Sequence, residues 1–263
     1  MTESGEAGAS APPAALVTGG SQGIGEAIVR ALHAAGWNVL GTYLRGAGRA
    51  AALERELGER VAFARADLAE SAALPALVDA CVRRFGRLDV LVNNAAIFAE
   101  NAFAGDDYAR WREGWARTFA VNLFGPADLT WLALRVMREQ PPRGAAGTRG
   151  RIVNIASRAA HRGELSFADY GASKAALVNL TKSIARSCAR AGIVAFAVAP
   201  GFIRTEMAAS ELALRGAEIE GEIPGGRVGE PADVASIVAF LASGGADYAS
   251  GATIDVNGAS YVR

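Results

Sequence analysis

The sequence predicts a doubly wound α/β domain: one sheet of seven parallel strands, helices on both faces, and no second domain. Three observations predict it. Short Val/Ile/Leu-rich runs alternate with longer amphipathic stretches along all 263 residues. The runs are near-continuous rather than alternating, as strands read when both faces of a parallel sheet are buried. A hydrophobic content of 51% at this length is enough for one large core.

The first strand is expected at 14–18, followed by the glycine-rich stretch TGGSQGIG and a helix over 22–35. Strands at 37–43, 61–65 and 88–92 then alternate with helices at 48–57 and 71–85. One long helix is expected over 107–139, after which the strand 151–156 leads to the helix 167–191. There Leu177, Leu180, Thr181, Ile184 and Cys188 recur at three- and four-residue steps, with Lys182, Arg186 and Arg190 on another face. Gly192 stops that helix. The strand 193–199, helices at 206–215 and 231–243, and a closing strand at 252–256 complete the pattern. Strand–helix alternation of this kind requires βαβ crossovers. The stretch PPRGAAGTRG, 141–150, is expected to be an exposed connection, and 1–12 a disordered tail.

Composition narrows the function. Lysine plus arginine equals aspartate plus glutamate, 27 each, and no basic stripe breaks the balance, which argues against a nucleic-acid partner. No apolar run approaches the roughly 20 residues of a membrane span. The first dozen residues lack the basic and apolar stretches of a secretory leader, so the expected location is cytoplasmic. Cys81 and Cys188 match no metal or redox spacing and read as buried free thiols; no metal site is expected.

In a doubly wound sheet, ligands bind beyond the carboxyl ends of the strands. TGGSQGIG lies at such an end. Glycine removes the side chain that would hold a phosphate away from the backbone, and the following helix offers free N–H groups and a partial positive charge. A plain tight turn is the alternative. The common G-x-G-x-x-G fingerprint is not matched; the glycines are Gly19, Gly23 and Gly25.

With that spacing the chain resembles the short-chain dehydrogenase/reductase family in its compact form, similar to 3-oxoacyl-ACP reductase-like members. Nearly the whole chain carries the resemblance. NNAA at 93–96 resembles the family's N-N-A-G, with Ala96 departing from it. PGFIRT at 200–205 resembles P-G-x-I-x-T, and ASGATIDVNGA a carboxy-terminal pattern in which Asn257-Gly258-Ala259 replaces D-G-G. The resemblance implies a Rossmann-type fold and a nicotinamide cofactor. By position it implies contacts from Gly19, Ser21, Gln22, Gly23, Ile24 and Gly25, and from Asp67 and Leu68 near the adenine. Asn94, Ala95, Pro200, Gly201, Ile203 and Thr205 follow in the same way, with Asn93 as a further candidate.

Tyr170 and Lys174 in DYGASKAAL lie four positions apart, hence on one helix face. With Ser157 and Asn122 they match the family's Asn-Ser-Tyr-Lys set residue by residue. Hydride transfer to a carbonyl leaves an alkoxide that must take up a proton. A free tyrosine, with pKa near 10, accepts protons poorly at neutral pH. A lysine ammonium on the same face is expected to lower that pKa, and Ser157 to hold the substrate oxygen. The resemblance gives Lys174 a grip on the nicotinamide ribose and Asn122 a water linking Lys174 to solvent.

At the end of the second strand Tyr43 occupies the position where an acidic residue would bond a ribose 2′-hydroxyl. Arg45 and Arg49 stand close enough for a 2′-phosphate. Gln22 is neutral where NADP-using relatives often carry a base. NADP (NADPH) is favoured, with NAD as the alternative. Residues 202–226 resemble the family's substrate lid, apolar through Phe202, Met207, Leu212 and Leu214; Phe98, Ala159 and His161 border the same region. The expected reaction is hydride exchange between nicotinamide and a small-molecule ketone or secondary alcohol. A 3-oxoacyl thioester reductase and a sugar or polyol dehydrogenase are alternatives. A dinucleotide-sensing regulator on the same fold is the non-enzyme alternative, disfavoured by the presence of Tyr170 and Lys174. The resemblance implies a homo-oligomer, tetramer or dimer, through the helices at 107–139 and 167–191 and the last strand.

Overall fold

The computed structural model describes residues 11–144 and 146–262; most of the expected tail, 1–10, lies outside them. Seven strands form one parallel sheet: β1 (Ala14–Val17), β2 (Asn38–Tyr43), β3 (Val61–Arg65), β4 (Val90–Asn93), β5 (Gly150–Ile155), β6 (Ile193–Pro200) and β7 (Thr253–Val256). Their order is β3-β2-β1-β4-β5-β6-β7. Each strand sends successive side chains to opposite faces. Ala14 and Leu16 of β1 join one core layer, and Ala15 and Val17 join the other. Helices α3 (Leu74–Phe85), α5 (Gly125–Glu139) and α6 (Ala168–Cys188) cover the first face. Helices α1 (Gly23–Ala34) and α8 (Pro231–Ser243) pack together over the second. Chain order reverses between β1 and β4, and a crevice opens there beyond the carboxyl ends. Cys81 and Cys188 are buried free thiols, and burial pushes Cys81 up to about 12.

Two expected helices are corrected. Residues 108–139 are helical without a break, as expected, but not α-helical throughout. They form α4 (Tyr108–Phe119), a π-helical turn (Ala120–Phe124) and α5. Pro126 lacks the N–H that would continue an α-helical ladder. Gly125 is pressed against the chain after β3, where an added Cβ would lie 2.7 Å from the Leu68 carbonyl oxygen. The backbone widens by one residue there. The helix expected at 206–215 is a 3₁₀ turn (Glu206–Ala208) followed by α7 (Ala209–Glu222), kinked at Arg215. It runs on because Leu212 and Ile219 pack with Ile223 and Val228. Leu214, expected on the substrate side, is exposed. The remaining helix, α2 (Ala47–Leu57), flanks β3. No described helix is long and apolar enough to cross a membrane.

Candidate active site

The glycine loop is held by its neighbours' backbones. Gly20 N–H donates to the Thr42 carbonyl at 2.8 Å and Gly19 N–H to Thr42 Oγ1 at 3.1 Å. Thr18 Oγ1 accepts from Asn94 and Ala95 N–H at 2.9 and 3.0 Å. Asn94 Nδ2 donates to the Thr18 carbonyl at 2.8 Å, which joins the NNAA stretch to the loop. Gly19 has φ +64, a conformation glycine adopts without penalty. At Gly25 a Cβ would lie 2.0 Å from the Gly19 carbonyl oxygen, so the loop can fold back on α1 only without a side chain.

The first turn of α1 has no side-chain cap. Side chains cap α4, through Asp107, and α8, through the Glu230–Asp233 capping box; like α1, the other described α-helices have none. Uncapped amides beside bare glycine backbone at a strand-order reversal suit a pyrophosphate. The residues present therefore fit a dinucleotide.

A single cleft of about 950 Å³ runs from this loop to α7. It is lined by the expected cofactor contacts from Gly19 through Tyr43, Arg45, Asp67 and Leu68 to Thr205, Arg49 and Asn93 excepted, and by Ser157, Tyr170 and Lys174. Phe98, Ala159, Phe202 and Met207 line its far part. Among the expected residues Arg49, Asn93, Asn122, His161, Leu212 and Leu214 do not line it. Asn93 is corrected: it is 2% exposed and turns into the protein, donating to Asn154 Oδ1 at 2.8 Å. It follows Val92 in β4, and strand alternation sends the two side chains to opposite faces. His161 lies beside the carboxy-terminal Tyr261, whose hydroxyl donates to the His161 carbonyl.

Asn122 sits in the π turn, fully buried. Its amide oxygen accepts from Ile97 N–H at 2.7 Å, and its amide nitrogen donates to the Ile97 carbonyl at 3.0 Å and to Ser173 Oγ at 3.2 Å. It thereby clamps the exit of β4 against α6. Asp169, absent from the sequence reading, anchors the start of α6. Its carboxylate accepts from Thr118 Oγ1 at 2.7 Å and Asn101 Nδ2 at 3.3 Å. Arg117 was missed as well; it pairs with Asp67 at 2.7 Å and lines the cleft. Neither residue carries a sequence signal, because α4 meets those partners only in the packed fold. Burial opposes the Asp67 carboxylate, but Arg117 and the Ala69 amide hold its pKa below the ordinary aspartate value.

Tyr170 and Lys174 both reach the cleft from α6, with Lys174 Nζ 5.7 Å from the Tyr170 ring centre. Phe98 meets the Tyr170 ring edge-on at 4.9 Å. Lys174 is buried, and its Nζ donates to the Ile155 carbonyl at 2.7 Å. The expected acidification of the phenol is corrected. Burial, only partly offset by the Ser157 hydroxyl, pushes Tyr170 up to about 12. The same burial pulls Lys174 down to about 7. In the protein alone, loss of water outweighs the attraction between the two groups. Ser157 Oγ also accepts from Ala159 N–H at 3.1 Å, which fixes its rotamer at the end of β5.

Known proteins resemble the chain over nearly its whole length. A family described as "Enoyl-(Acyl carrier protein) reductase" matches residues 19–259. The chain is 40% identical to an acetoacetyl-CoA reductase of Rhizobium meliloti over 94% of its own length and 98% of the relative's. It is 36% identical to the 3-oxoacyl-[acyl-carrier-protein] reductase FabG of Vibrio cholerae, covering 94% and 97%. A Brucella melitensis structure titled as a short-chain dehydrogenase/reductase, glucose/ribitol dehydrogenase, superposes with a TM-score of 0.86 at 34% identity, covering 95% and 97%. Likeness of this extent in both sequence and fold makes the chain a member of the short-chain dehydrogenase/reductase family, the NAD(P)-dependent oxidoreductases that interconvert ketones and secondary alcohols.

Proposed function

We propose that the chain is an NADP-preferring carbonyl reductase in which Tyr170 is the proton donor, Ser157 positions the carbonyl and Lys174 supports both. One observation carries the reading: Ser157, Tyr170 and Lys174 meet in one cleft with a phenol held neutral. When bound, the nicotinamide supplies the hydride. Ser157 donates a hydrogen bond to the carbonyl oxygen, and Tyr170 delivers its proton to that oxygen as negative charge develops. A phenol near 12 still gives its proton downhill to an alkoxide, a much stronger base than a phenolate. Lys174, near 7, can exchange a proton with its surroundings at neutral pH. Asn122 is a positioning residue that sets α6 against β4.

Arg45 lines the cleft beside Tyr43, where a 2′-phosphate would lie. Arg49 is already engaged by Gln22 and by Glu206, so Arg45 carries the preference. A homo-oligomer is supported by the exposed Tyr108, Phe124 and Trp131 of the α4–α5 face. A panel of ketones and alcohols, 3-oxoacyl thioesters and polyols included, assayed with both nucleotides tests the whole reading. NADPH is expected to bind more tightly than NADH, and Arg45→Ala to weaken NADPH about tenfold with little effect on NADH. Tighter binding of NADH would overturn the preference.

A further inference from the structure

Three arginines line the far part of the cleft: Arg158, Arg162 and Arg215. Two are already neutralised. Arg162 lies 3.6 Å from Glu164, and Arg215 pairs with Glu218 at 2.5 Å and with Glu211 at 3.8 Å. Arg158 differs. It follows Ser157 directly and is only 7% exposed. Its guanidinium lies 4.6 Å from the centre of the Phe202 ring. Among the described residues no carboxylate comes within 4 Å of it and no hydrogen-bond acceptor engages it. Its nitrogens are not among the sealed, unpartnered polar atoms either, so they open on the cleft.

Burying a guanidinium without an anionic partner is costly. Stacking on an aromatic face recovers a part of that cost and fixes the plane of the group. Burial, followed by the charge of Arg162, depresses the Arg158 pKa, and Glu164 and Glu222 oppose this only at longer range. The protein thus holds an oriented, desolvated cation one residue from the hydroxyl that takes the substrate carbonyl. Phe202 belongs to the segment just after β6 whose Gly201 and Ile203 also line the cleft.

We propose that Arg158 reads a carboxylate on the substrate, so that the preferred substrates are short oxo acids rather than neutral ketones or polyols. The planar fork of donors matches a carboxylate edge-on, and Ser157 and Arg158 line the same cleft, so one substrate can present its ketone to the first and its acid group to the second. The inference rests on the reductase reading above: the ketone oxygen goes to Ser157 and Tyr170, the carboxylate to Arg158.

The test compares one carbonyl with different neighbours: acetoacetate, methyl acetoacetate, the neutral N-acetylcysteamine thioester and acetoacetyl-CoA, each with NADPH. Levulinate and its methyl ester extend the series. Wild type is expected to favour acid over ester in kcat/KM by about tenfold or more, and Arg158→Gln to remove that preference by lowering the acid about 10- to 100-fold, the worth of hydrogen bonds to a charged group. Arg158→Lys should recover part of it. Glu222→Gln should raise the acid preference, because it removes a carboxylate of the cleft wall that competes for the Arg158 charge. Equal losses on acid and ester in both Arg158→Gln and Glu222→Gln would make the pair a latch of α7 and overturn the proposal. An arginine dependence confined to acetoacetyl-CoA would assign the anion to a phosphate and equally overturn it. If no carbonyl compound turns over although NADPH binds, the reductase reading itself fails. Turnover without acid preference defeats only the carboxylate.

Discussion

The two edges of the sheet use buried charge in opposite ways. At the amino edge the charges of Asp89, Arg151 and Asp247 have their partners within the chain. Asp89 accepts from Ala14 N–H at 2.9 Å and pairs with Arg87 at 2.5 Å. Asp247 pairs with Arg151 at 2.7 Å and accepts from Thr148 Oγ1 at 2.6 Å. Gln140 bridges the Leu88 backbone to the Arg149 carbonyl. At the carboxyl edge Lys174 has one carbonyl, Arg158 has one aromatic face, and the first turn of α1 is uncapped. Hydrogen-bonding capacity left unused in a buried place is destabilising, and at the carboxyl edge it stands where a ligand can use it. One edge ties the sheet together; the other is reserved for chemistry.

The contrast can be broken from either side. The largest effect is expected at the carboxyl edge: Tyr170→Phe should lower kcat about a thousandfold or more, while nucleotide affinity, read by NADPH fluorescence, changes little. Retention of most of the turnover would remove Tyr170 from proton transfer. At the amino edge, Asp247→Asn leaves Arg151 buried without its counter-charge and should cost about 3 kcal/mol of stability in urea melts. Turnover per folded molecule should hold, since this pair lies at the opposite edge of the sheet from the cleft. A loss of activity in folded protein would mean that the two edges are coupled.

The effect smallest per step, a gradual one, sharpens the comparison through pH. Lys174 is depressed from an ordinary value of 10.5 to about 7. Below pH 7 it is charged in both folded and unfolded chains, and its burial penalty is constant and at its largest. Between pH 7 and 10 the unfolded chain holds the proton and the folded chain releases it, so this lysine makes stability rise with pH. Tyr170, raised from 10 to about 12, acts in the opposite sense only above pH 10. Relative to wild type, Lys174→Met should be most stabilising near pH 6 and lose about 1 kcal/mol of that advantage per pH unit between 7 and 10. A pH-independent difference would place the titration elsewhere.

Much of the fold was legible in the residues because each strand is a continuous apolar run between breakers. Gly192, expected to end the helix before β6, does so at φ +72. The cofactor cleft was legible because glycine is informative: Gly19 and Gly25 occupy positions that larger residues would obstruct. Asn93 misled, since a polar residue after a strand reads as a site residue until its partner Asn154, 61 positions away, is seen. The π turn at Asn122 was hidden because the close approach of Gly125 to the Leu68 backbone, which leaves no room for a side chain, exists only in the packed fold. Ala259 departs from the family's glycine and adopts φ +65, a left-handed conformation costing an alanine about 1 kcal/mol.

Residue order alone specified the seven strands, the glycine loop and the spacing of Tyr170 and Lys174, all properties of local periodicity and backbone freedom. The protonation state of the phenol, the inward turn of Asn93, the anchoring by Asp169 and the lone charge of Arg158 awaited the packed fold. Each depends on which distant groups exclude water from a side chain, and that exclusion has no counterpart in the spacing of residues along the chain.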